Sequence, residues 1–315
     1  MGIISYIQNQ IRHDGNIKYM LADINAKIST TAHNILLSER INYLRDKTIN
    51  CSTKGISIEK LCDNDIVVSL TTFGDRIHNV HLAIESIMQG TVKPNRIVLW
   101  LAEDEFTNKR LPKTLKLQQE RGLEIYYYKN IRSYLKLIPS LEKYSNSCII
   151  TIDDDVIYEY DLIERLVNAH IDNPNKICAC RMHRIVLGKN NNPLNYLKWK
   201  LCINDTECSN LNFPTGVGGV LYPPHCFNDE VFNSEIFMDV CPKADDIWFY
   251  VMALINGIQS IWVKNSMPEG YYYSLPMYTD ALCLQNTIPN EDNICGNDIQ
   301  FMRVCNKYKL LNYWT

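Results

Sequence analysis

The stretch Cys148-Ile-Ile-Thr-Ile-Asp-Asp-Asp-Val-Ile-Tyr158 decides the fold, because a short apolar run ends directly in three carboxylates. Side chains alternate between the two faces of extended backbone, so Asp153 and Asp155 are expected to point the same way. In open α/β folds, ligands bind at the carboxyl ends of the strands. Three adjacent like charges usually need a cation to offset them, which favours this interpretation over a solvated turn or a helix cap. We therefore predict that Asp153 and Asp155 bind Mg²⁺ or Mn²⁺, which prefer hard oxygen ligands.

Three further apolar runs precede this strand, and helical stretches separate them. We predict strands at Ile66–Leu70, Ile97–Leu101, Ile125–Tyr128 and Cys148–Ile152. Apolar residues at helical spacing from Val80 to Met88 predict one crossover helix, and Pro112 and Gly122 bound a second. This alternation predicts an α/β fold with a Rossmann-like, mostly parallel sheet and flanking helices.

The chain is expected to divide into a helical N-terminal appendage, residues 1–60, and one large domain, residues 61–315. The apolar residues at helical spacing in the appendage are Ile17, Met20, Leu21, Ile24 and Ile28, then Ile35, Leu36, Ile41 and Leu44. A packing role is favoured over contact with lipid or a partner chain, because the polar face is mixed in sign. Within the large domain we expect a nucleotide-binding half, residues 61–160, and an acceptor half, residues 161–315.

The composition is that of a folded globular protein, since 46% of the 315 residues are apolar and 21% are charged. The net charge of -3 disfavours nucleic acid as a partner. The 12 cysteines include no CxxC pair, which favours reduced thiols in a cytosolic protein. No secretory signal is evident, and no window approaches the ~20 apolar residues of a spanning helix. We therefore expect a cytoplasmic protein whose only membrane contact would be peripheral, on the inner face.

A second acidic motif, Cys241-Pro-Lys-Ala-Asp-Asp-Ile-Trp248, places two carboxylates at the start of a predicted helix. One of them is a candidate general base that takes the proton of an acceptor hydroxyl. Helix capping is the competing role, and Asp245 occupies the position of a cap. We predict that Asp245 and Asp246 both belong to the catalytic site, with Asp246 as the base.

Two other segments offer groups that suit a nucleotide. Ser69-Leu-Thr-Thr-Phe-Gly-Asp-Arg76 presents hydroxyls, amides and one guanidinium after the first strand. Pro214-Thr-Gly-Val-Gly-Gly219 allows close approach of a ligand, although glycines equally allow a bulge or tight packing. A Walker loop is absent, which disfavours a P-loop kinase. The candidate ligands of the nucleotide are Ser69, Thr71, Arg76, Asp153, Asp154, Gly218 and Gly219.

Taken in order, five segments resemble a family of bacterial GT-A glycosyltransferases found with capsule and lipopolysaccharide genes. They are Ser69-Leu-Thr-Thr72, Arg96-Ile-Val-Leu-Trp-Leu101, Ile149-Ile-Thr-Ile-Asp-Asp-Asp155, Pro214-Thr-Gly-Val-Gly-Gly219 and Ala244-Asp-Asp-Ile-Trp248. The resemblance covers roughly residues 65–305, and the ordered set is more specific than any one segment. It implies the GT-A fold, a nucleotide-sugar donor that is UDP-linked, and a saccharide or lipid-linked saccharide acceptor in surface polysaccharide synthesis.

The resemblance also implies roles for individual residues. Asp153 and Asp155 match the DxD positions that contact the ribose and the metal, and Asp246 matches the base of inverting relatives. Many GT-A enzymes complete the metal shell with a histidine late in the chain, but the last histidine here is His225. Asp298 is a weak substitute for that ligand.

Two functions of other classes stay as alternatives. A sugar-phosphate nucleotidyltransferase shares the α/β half and the acidic metal site, but its glycine-rich signature does not resemble Leu70-Thr-Thr-Phe-Gly-Asp75. A non-catalytic, metal-dependent carbohydrate-binding protein could use the acidic triplet for Ca²⁺, but it would not need Asp245 and Asp246. The products of turnover separate these functions from sugar transfer.

Overall fold

The computed structural model describes residues 3–264, 273–275, 286–291, 294–310 and 314, and for residues 3–21, 23, 26, 29 and 273 it describes the backbone alone. The chain forms two compact units, Met1–Lys47 and Thr48–Thr315. Among the described residues, no helix has both the length and the apolar character needed to cross a bilayer.

The N-terminal segment is one long helix, α1 (Ile3–Asn50). A helical appendage was predicted, but the helix ends about ten residues before the expected boundary, and turns and bends fill residues 51–65. Four of the apolar residues predicted to pack, Ile24, Ile28, Ile35 and Leu36, are exposed in this chain. The side chains of Ile17, Met20 and Leu21 lie outside the described residues.

A seven-stranded sheet forms the centre of the second unit, in the order β10-β6-β9-β4-β1-β2-β3. The strands of the unit are β1 (Ile66–Thr71), β2 (Arg96–Ala102), β3 (Leu123–Tyr128), β4 (Cys148–Thr151), β5 (Val156–Ile157), β6 (Ile177–Ala179), β7 (Met182–Arg184), β8 (Asn212–Pro214), β9 (Val220–Tyr222), β10 (Ser260–Trp262) and β11 (Tyr273–Ser274). Within the central sheet, β9 runs antiparallel to β4 and β6, and the other paired strands are parallel. The predicted mostly parallel α/β sheet is confirmed.

Helices connect the parallel strands, as the crossover geometry requires. The helices between the strands are α2 (Val80–Met88), α3 (Glu103–Phe106), α4 (Lys113–Glu120), α5 (Ile138–Lys143), α6 (Leu162–Asp172), α7 (Ser234–Val240) and α8 (Asp245–Ile255), and α9 (Gly296–Lys307) follows the last strand. The predicted turn residues lie where the helices begin and end: Pro112 directly precedes α4, and Gly122 follows it with a φ of 111°. A positive φ of this kind favours glycine because it has no Cβ.

Both faces of the sheet are buried, and each face packs against its own apolar cluster. Val68, Ile97 and Ile150 are register partners that belong to one cluster. Val67 and Ile149, one residue earlier in each strand, belong to the other cluster. Burial on both faces explains why these strands are continuous apolar runs rather than alternating patterns.

Candidate active site

Three chain segments meet at the carboxyl edge of β1 and β4. Thr151, the last residue of β4, pairs with Ser69 of β1 on one side and with Val220 of β9 on the other. Because β9 runs antiparallel to β4, the turn Gly216–Gly218 that precedes it lies at the same edge. The topology therefore places the acidic triplet between the segment that follows β1 and this glycine turn.

The acidic triplet does not continue the strand. Strand β4 ends at Thr151, and Asp154 and Asp155 form a turn, so the alternation expected for extended backbone does not apply. Asp153 pairs with Lys136 at 3.1 Å, whereas Asp155 pairs with Arg76 at 3.0 Å. The two carboxylates predicted to share one metal are thus each held by a different basic side chain.

Asp154 ties the triplet to the segment that follows β1. Its carboxylate accepts hydrogen bonds from Thr72 Oγ1 at 2.6 Å and from Arg76 Nη1 at 2.8 Å. Burial raises the pKa of Asp154, although Arg76 and Thr72 both act to lower it. Both oxygens are engaged inside the protein, so these contacts support a positioning role rather than the predicted contact with a nucleotide sugar.

Arg76 compensates two adjacent carboxylates at once. It lies in the short 3-10 turn Gly74–His78, and its guanidinium carbon lies 4.8 Å from the centroid of the Phe73 ring. The Nη1 atom that donates to Asp154 also lies 3.0 Å from Asp155 Oδ2. Arg76 is therefore at the predicted edge, but as the counter-charge of the triplet.

Lys136 is one site residue that sequence reasoning missed. It ends the 3-10 turn Arg132–Lys136, and its ammonium nitrogen lies 3.1 Å from Asp153 Oδ1 and 3.0 Å from Asp245 Oδ2. Burial acts to lower the pKa of this lysine, but the nearby carboxylates raise it more, so the group stays charged. The signal was a single lysine in the apolar run from Tyr134 to Ile138, because a buried charge needs a partner.

Asp246, the predicted base, lies against the glycine turn. Its oxygens accept the backbone N–H of Gly216 at 3.2 and 3.1 Å. A Cβ at position 216 would lie 3.1 Å from Asp246 Oδ1 and 2.8 Å from Lys136 Nζ. Glycine at this position therefore leaves the space in which the base and the lysine meet.

The environment of Asp246 raises its pKa to about 7. Burial is the largest cause, and repulsion from Asp245 adds to it, while Lys136 and the Gly216 N–H act in the opposite direction. The side chain is still partly exposed at the edge. A carboxyl group with a pKa near neutrality can exchange a proton at physiological pH, as general base catalysis requires.

Ser69 does not contact the edge where the nucleotide was predicted to bind. It is fully buried, and its Oγ shares a 2.7 Å hydrogen bond with Ser140 Oγ of α5. The Trp100 indole N–H also donates to Ser140 Oγ at 2.7 Å. In the structure the Ser69 hydroxyl therefore ties β1 to α5. Thr71, at the end of β1, is partly exposed and donates to the Trp100 carbonyl at 2.9 Å.

The glycines at positions 218 and 219 are explained by packing and backbone geometry. A Cβ on Gly218 would lie 2.6 Å from Arg181 Cβ and 2.7 Å from its backbone nitrogen. Gly219 has a φ of 86°. Both features exclude larger residues without any ligand, so the packing alternative foreseen for these glycines accounts for them.

Tyr158 links the acidic triplet to the glycine turn. Its buried hydroxyl accepts the Asp153 backbone N–H at 2.8 Å and donates to the Val217 carbonyl at 3.2 Å. Sequence reasoning missed this contact, although the tyrosine directly follows the acidic stretch. The hydrogen bonds fix the backbone of Asp153 relative to the turn that holds Asp246.

Two acidic residues near the starts of helices make contacts other than those predicted. The N-cap position of α8 is Ala244, and Asp245 is the first helical residue, paired with Lys136 rather than capping. Asp298 accepts the backbone N–H of Tyr196 at 2.6 Å and that of Cys295 at 2.9 Å. Asp298 therefore acts in the capping box of α9 and is not a substitute metal ligand.

The donor set of the edge suits a hard divalent cation that is shared with phosphate oxygens. The five carboxylates of the two motifs outnumber the two basic groups, Arg76 and Lys136, by three charges when all are ionised. Among the described residues, these acids do not bring three ligand atoms together. Asp153 and Asp155 would supply two, and Mg²⁺ commonly combines one or two carboxylates with phosphate oxygens and water.

Replacing Lys136 with Met should lower the free energy of unfolding by about 3 kcal/mol, because it leaves Asp153 and Asp245 without their buried partner. It should also reduce turnover, since the remaining carboxylates would raise the pKa of Asp246 further. Urea unfolding measures the first effect. Lys113→Met, at an exposed lysine, is the control and should be neutral. In the double variant with Asp245→Asn, a fully additive loss of stability would contradict the pairing.

Comparisons with known proteins return distant structural likenesses only. No family model matches the chain, and no curated protein matches it. CMP:2-keto-3-deoxy-manno-octonic acid synthetase complexed with CTP has a TM-score of 0.38 at 12% identity, over 67% of this chain and 93% of that chain. Mannosyltransferase PcManGT from Pyrobaculum calidifontis, in complex with GDP-Man and Mn²⁺, has a TM-score of 0.41 at 10% identity, over 75% of this chain and 64% of that chain. At these values neither structure decides between the two classes of enzyme.

Proposed function

We propose that this protein is a metal-dependent, inverting glycosyltransferase of the GT-A type. It transfers a sugar from a UDP-linked donor to a saccharide or lipid-linked saccharide in surface polysaccharide synthesis. A nucleotide-sugar donor implies a cytoplasmic location, at the inner face of the membrane when the acceptor is lipid-linked.

The observation that carries the proposal is the meeting of two distant acidic motifs at one edge of the sheet. Asp153 and Asp155 come from the loop after β4, and Asp245 and Asp246 come from the start of α8. Lys136 joins them by pairing with one member of each motif. A diphosphate-binding group and a general base at one edge are the two elements that transfer to a hydroxyl needs.

In the proposed reaction Asp246 accepts the proton of the acceptor hydroxyl while the oxygen of that hydroxyl attacks the anomeric carbon of the donor. The bond from the anomeric carbon to the diphosphate breaks, and its electron pair leaves with the nucleoside diphosphate. Attack opposite the leaving group inverts the anomeric centre. The Gly216 N–H holds the Asp246 carboxylate in place before the proton is transferred.

Asp153 and Asp155 would hold the divalent cation, which when bound supplies the counter-charge for the departing diphosphate. Arg76 and Lys136 fix these carboxylates in advance, since each basic side chain contacts one of them. Tyr158 fixes the backbone of Asp153. The side chains of the site are thus positioned by contacts within the protein.

The raised pKa of Asp246 favours sugar transfer over nucleotidyl transfer. A sugar phosphate is already largely ionised at neutral pH and needs no base in order to attack a nucleoside triphosphate. A sugar hydroxyl does need one.

Incubation with a panel of nucleotide-sugars and Mn²⁺ tests the proposal, because slow transfer to water should release nucleoside diphosphate. Release of pyrophosphate from a nucleoside triphosphate and a sugar phosphate would establish the alternative of nucleotidyl transfer. If neither assay yields a product, the protein is a non-catalytic carbohydrate-binding protein.

UDP with Mn²⁺ should raise the melting temperature more than GDP, CDP or ADP with Mn²⁺. A nucleotide that binds only the folded protein raises the free energy of unfolding by mass action, by about 2.7 kcal/mol at a ligand concentration of 100 times Kd. Thermal denaturation with each nucleotide, with and without Mn²⁺, measures the effect. Asp155→Ala should lose the part of the shift that depends on Mn²⁺. An unchanged melting temperature with every nucleoside diphosphate counts against the donor class.

A further inference from the structure

Two cysteines and a histidine meet at the amino edge of the sheet, away from the acidic motifs. The ligand atoms of Cys62, Cys148 and His170 all lie within 4.8 Å of one another. Cys148 Sγ lies 3.3 Å from His170 Nε2. Cys148 and His170 are buried, while Cys62 is partly exposed. The proposed glycosyl transfer uses none of these residues.

Separate elements bring these side chains together. Cys148 is the first residue of β4 and pairs in register with Ile66, so it lies at the amino end of the strands. His170 lies in the last turn of α6, and Cys62 lies in the segment before β1. The backbone N–H of Cys148 donates to the Asp65 carbonyl at 2.9 Å, which holds that segment beside the strand.

The distance between the Cys148 sulfur and the His170 nitrogen is close to that of a tetrahedral metal site. With Zn–S of about 2.3 Å and Zn–N of about 2.0 Å, a tetrahedral ion separates sulfur from nitrogen by about 3.5 Å. The observed distance from Cys148 Sγ to His170 Nε2 is 3.3 Å. Two thiolates and one imidazole form a soft ligand set, which selects Zn²⁺ over Mg²⁺ or Mn²⁺.

The Cys62 thiol also donates a hydrogen bond to the Asn64 carbonyl at 3.3 Å. His170 Nδ1 is buried and has no hydrogen-bond partner among the described residues. Within the described part of the chain the cysteines are free thiols, so a disulfide does not hold the pair.

We propose that Cys62, Cys148 and His170 bind one Zn²⁺, with water as the fourth ligand on the partly exposed side of Cys62. The described residues place no fourth histidine, cysteine or carboxylate in the cluster. The ion fastens the segment before β1 to β4 and α6, at the opposite end of the strand from the acidic triplet. The ion is therefore separate from the cation proposed for catalysis.

The test uses the full-length protein, purified under reducing conditions, stripped with a chelator and titrated with Co²⁺ as a spectroscopic probe. We expect one Co²⁺ per chain with a thiolate-to-cobalt charge-transfer band that Zn²⁺ displaces, and a higher melting temperature with Zn²⁺. Cys62→Ser and His170→Asn should each abolish the band. Cys202→Ser, at a partly exposed cysteine outside the cluster, should keep it.

Three outcomes overturn the proposal. The first is no charge-transfer band in the wild-type protein. The second is a band that survives both Cys62→Ser and His170→Asn. The third is a Cys62–Cys148 disulfide in place of metal binding, detected by peptide mapping of a separate preparation purified without reductant. Cys62 is partly exposed, so its substitution tests the site even when a change at buried Cys148 prevents folding. None of these outcomes depends on glycosyl transfer.

Discussion

Asp246→Asn should reduce sugar transfer by roughly 10²–10⁴-fold, the contribution of a positioned general base. Asparagine keeps the shape of the side chain and can still accept the Gly216 N–H through its carbonyl oxygen. It cannot take up the proton of the acceptor hydroxyl. Donor affinity should hardly change, because the donor is proposed to bind at the loop after β4. Steady-state transfer rates and nucleotide titration measure the two effects separately.

The pH dependence tests the same residue independently. The wild-type kcat/KM should rise with pH and level off above an apparent pKa of about 7, because only ionised Asp246 acts as a base. Asp246→Asn should lose this limb. Burial raises this pKa most, Asp245 and Asp153 raise it further, and Lys136 and the Gly216 N–H lower it. Asp245→Asn should therefore shift the rise of kcat/KM to lower pH.

Stability should respond to pH in the opposite sense to activity. The folded-state pKa of Asp246 is raised to about 7, above the unfolded value near 3.8. Its contribution to stability is thus fully present below the unfolded value and is lost as pH rises through the folded value. At pH values above that window Asp246→Asn should be at least as stable as the wild type. A large loss of stability in this variant would show that the carboxylate has a structural role instead.

Two matched variants complete this experiment. Asp239→Asn, at an exposed position on α7, should leave rate and stability unchanged. Asp245→Asn should lower stability, because it removes the partner of buried Lys136. If Asp245→Asn loses transfer and Asp246→Asn retains it, the two roles are exchanged. If both variants retain transfer, the proposed base is wrong.

Asp155→Ala should abolish turnover while the protein stays folded, since the side chain lies at the edge of the sheet and is 19% exposed. The physical reason is that the departing diphosphate loses the cation that offsets its charge. Removal of divalent cations from the wild type should have the same effect, and Mn²⁺ should restore activity. Transfer assays and far-UV circular dichroism check the two parts of this prediction.

The control for Asp155 separates the two proposed metals. Asp155→Ala should keep the Co²⁺ charge-transfer band of the cysteine cluster, while Cys62→Ser should keep the dependence of transfer on Mn²⁺. Full activity of Asp155→Ala in the presence of a chelator would rule out the catalytic metal at the triplet. Suppose instead that Zn²⁺, but not Mn²⁺, restores the activity of the metal-depleted wild type. The metal requirement of transfer would then belong to the cysteine cluster.

Much of the central fold could be predicted because its pattern is local. The runs that start at Ile66, Ile97 and Cys148 form strands that are buried on both faces, so most of their residues are apolar regardless of the partner strand. Pro112 and Gly122 mark their helix through their own backbone preferences. The end of α1 was less predictable, since helical periodicity does not show where a helix stops without a strong terminating residue.

The candidate site was predictable in part. The acidic triplet and the pair Asp245 and Asp246 were identified as components, because rare charges next to apolar elements stand out in a sequence. Lys136 was missed, since its role comes from partners in two distant motifs. Ser69 was assigned to the nucleotide, but the structure buries its hydroxyl against Ser140. Sequence position at a strand end does not show which face a side chain occupies.

The sequence by itself determined the strand and helix pattern, the edge where the acids gather and the residue types available there. Each of these depends on neighbours within a few positions along the chain. The tertiary structure alone decided that Lys136 joins the two acidic motifs, that Gly216 holds Asp246, and that Cys62 lies beside Cys148. These contacts, and the raised pKa of Asp246, depend on desolvation and on charges brought close by strand order and register, which local sequence patterns do not specify.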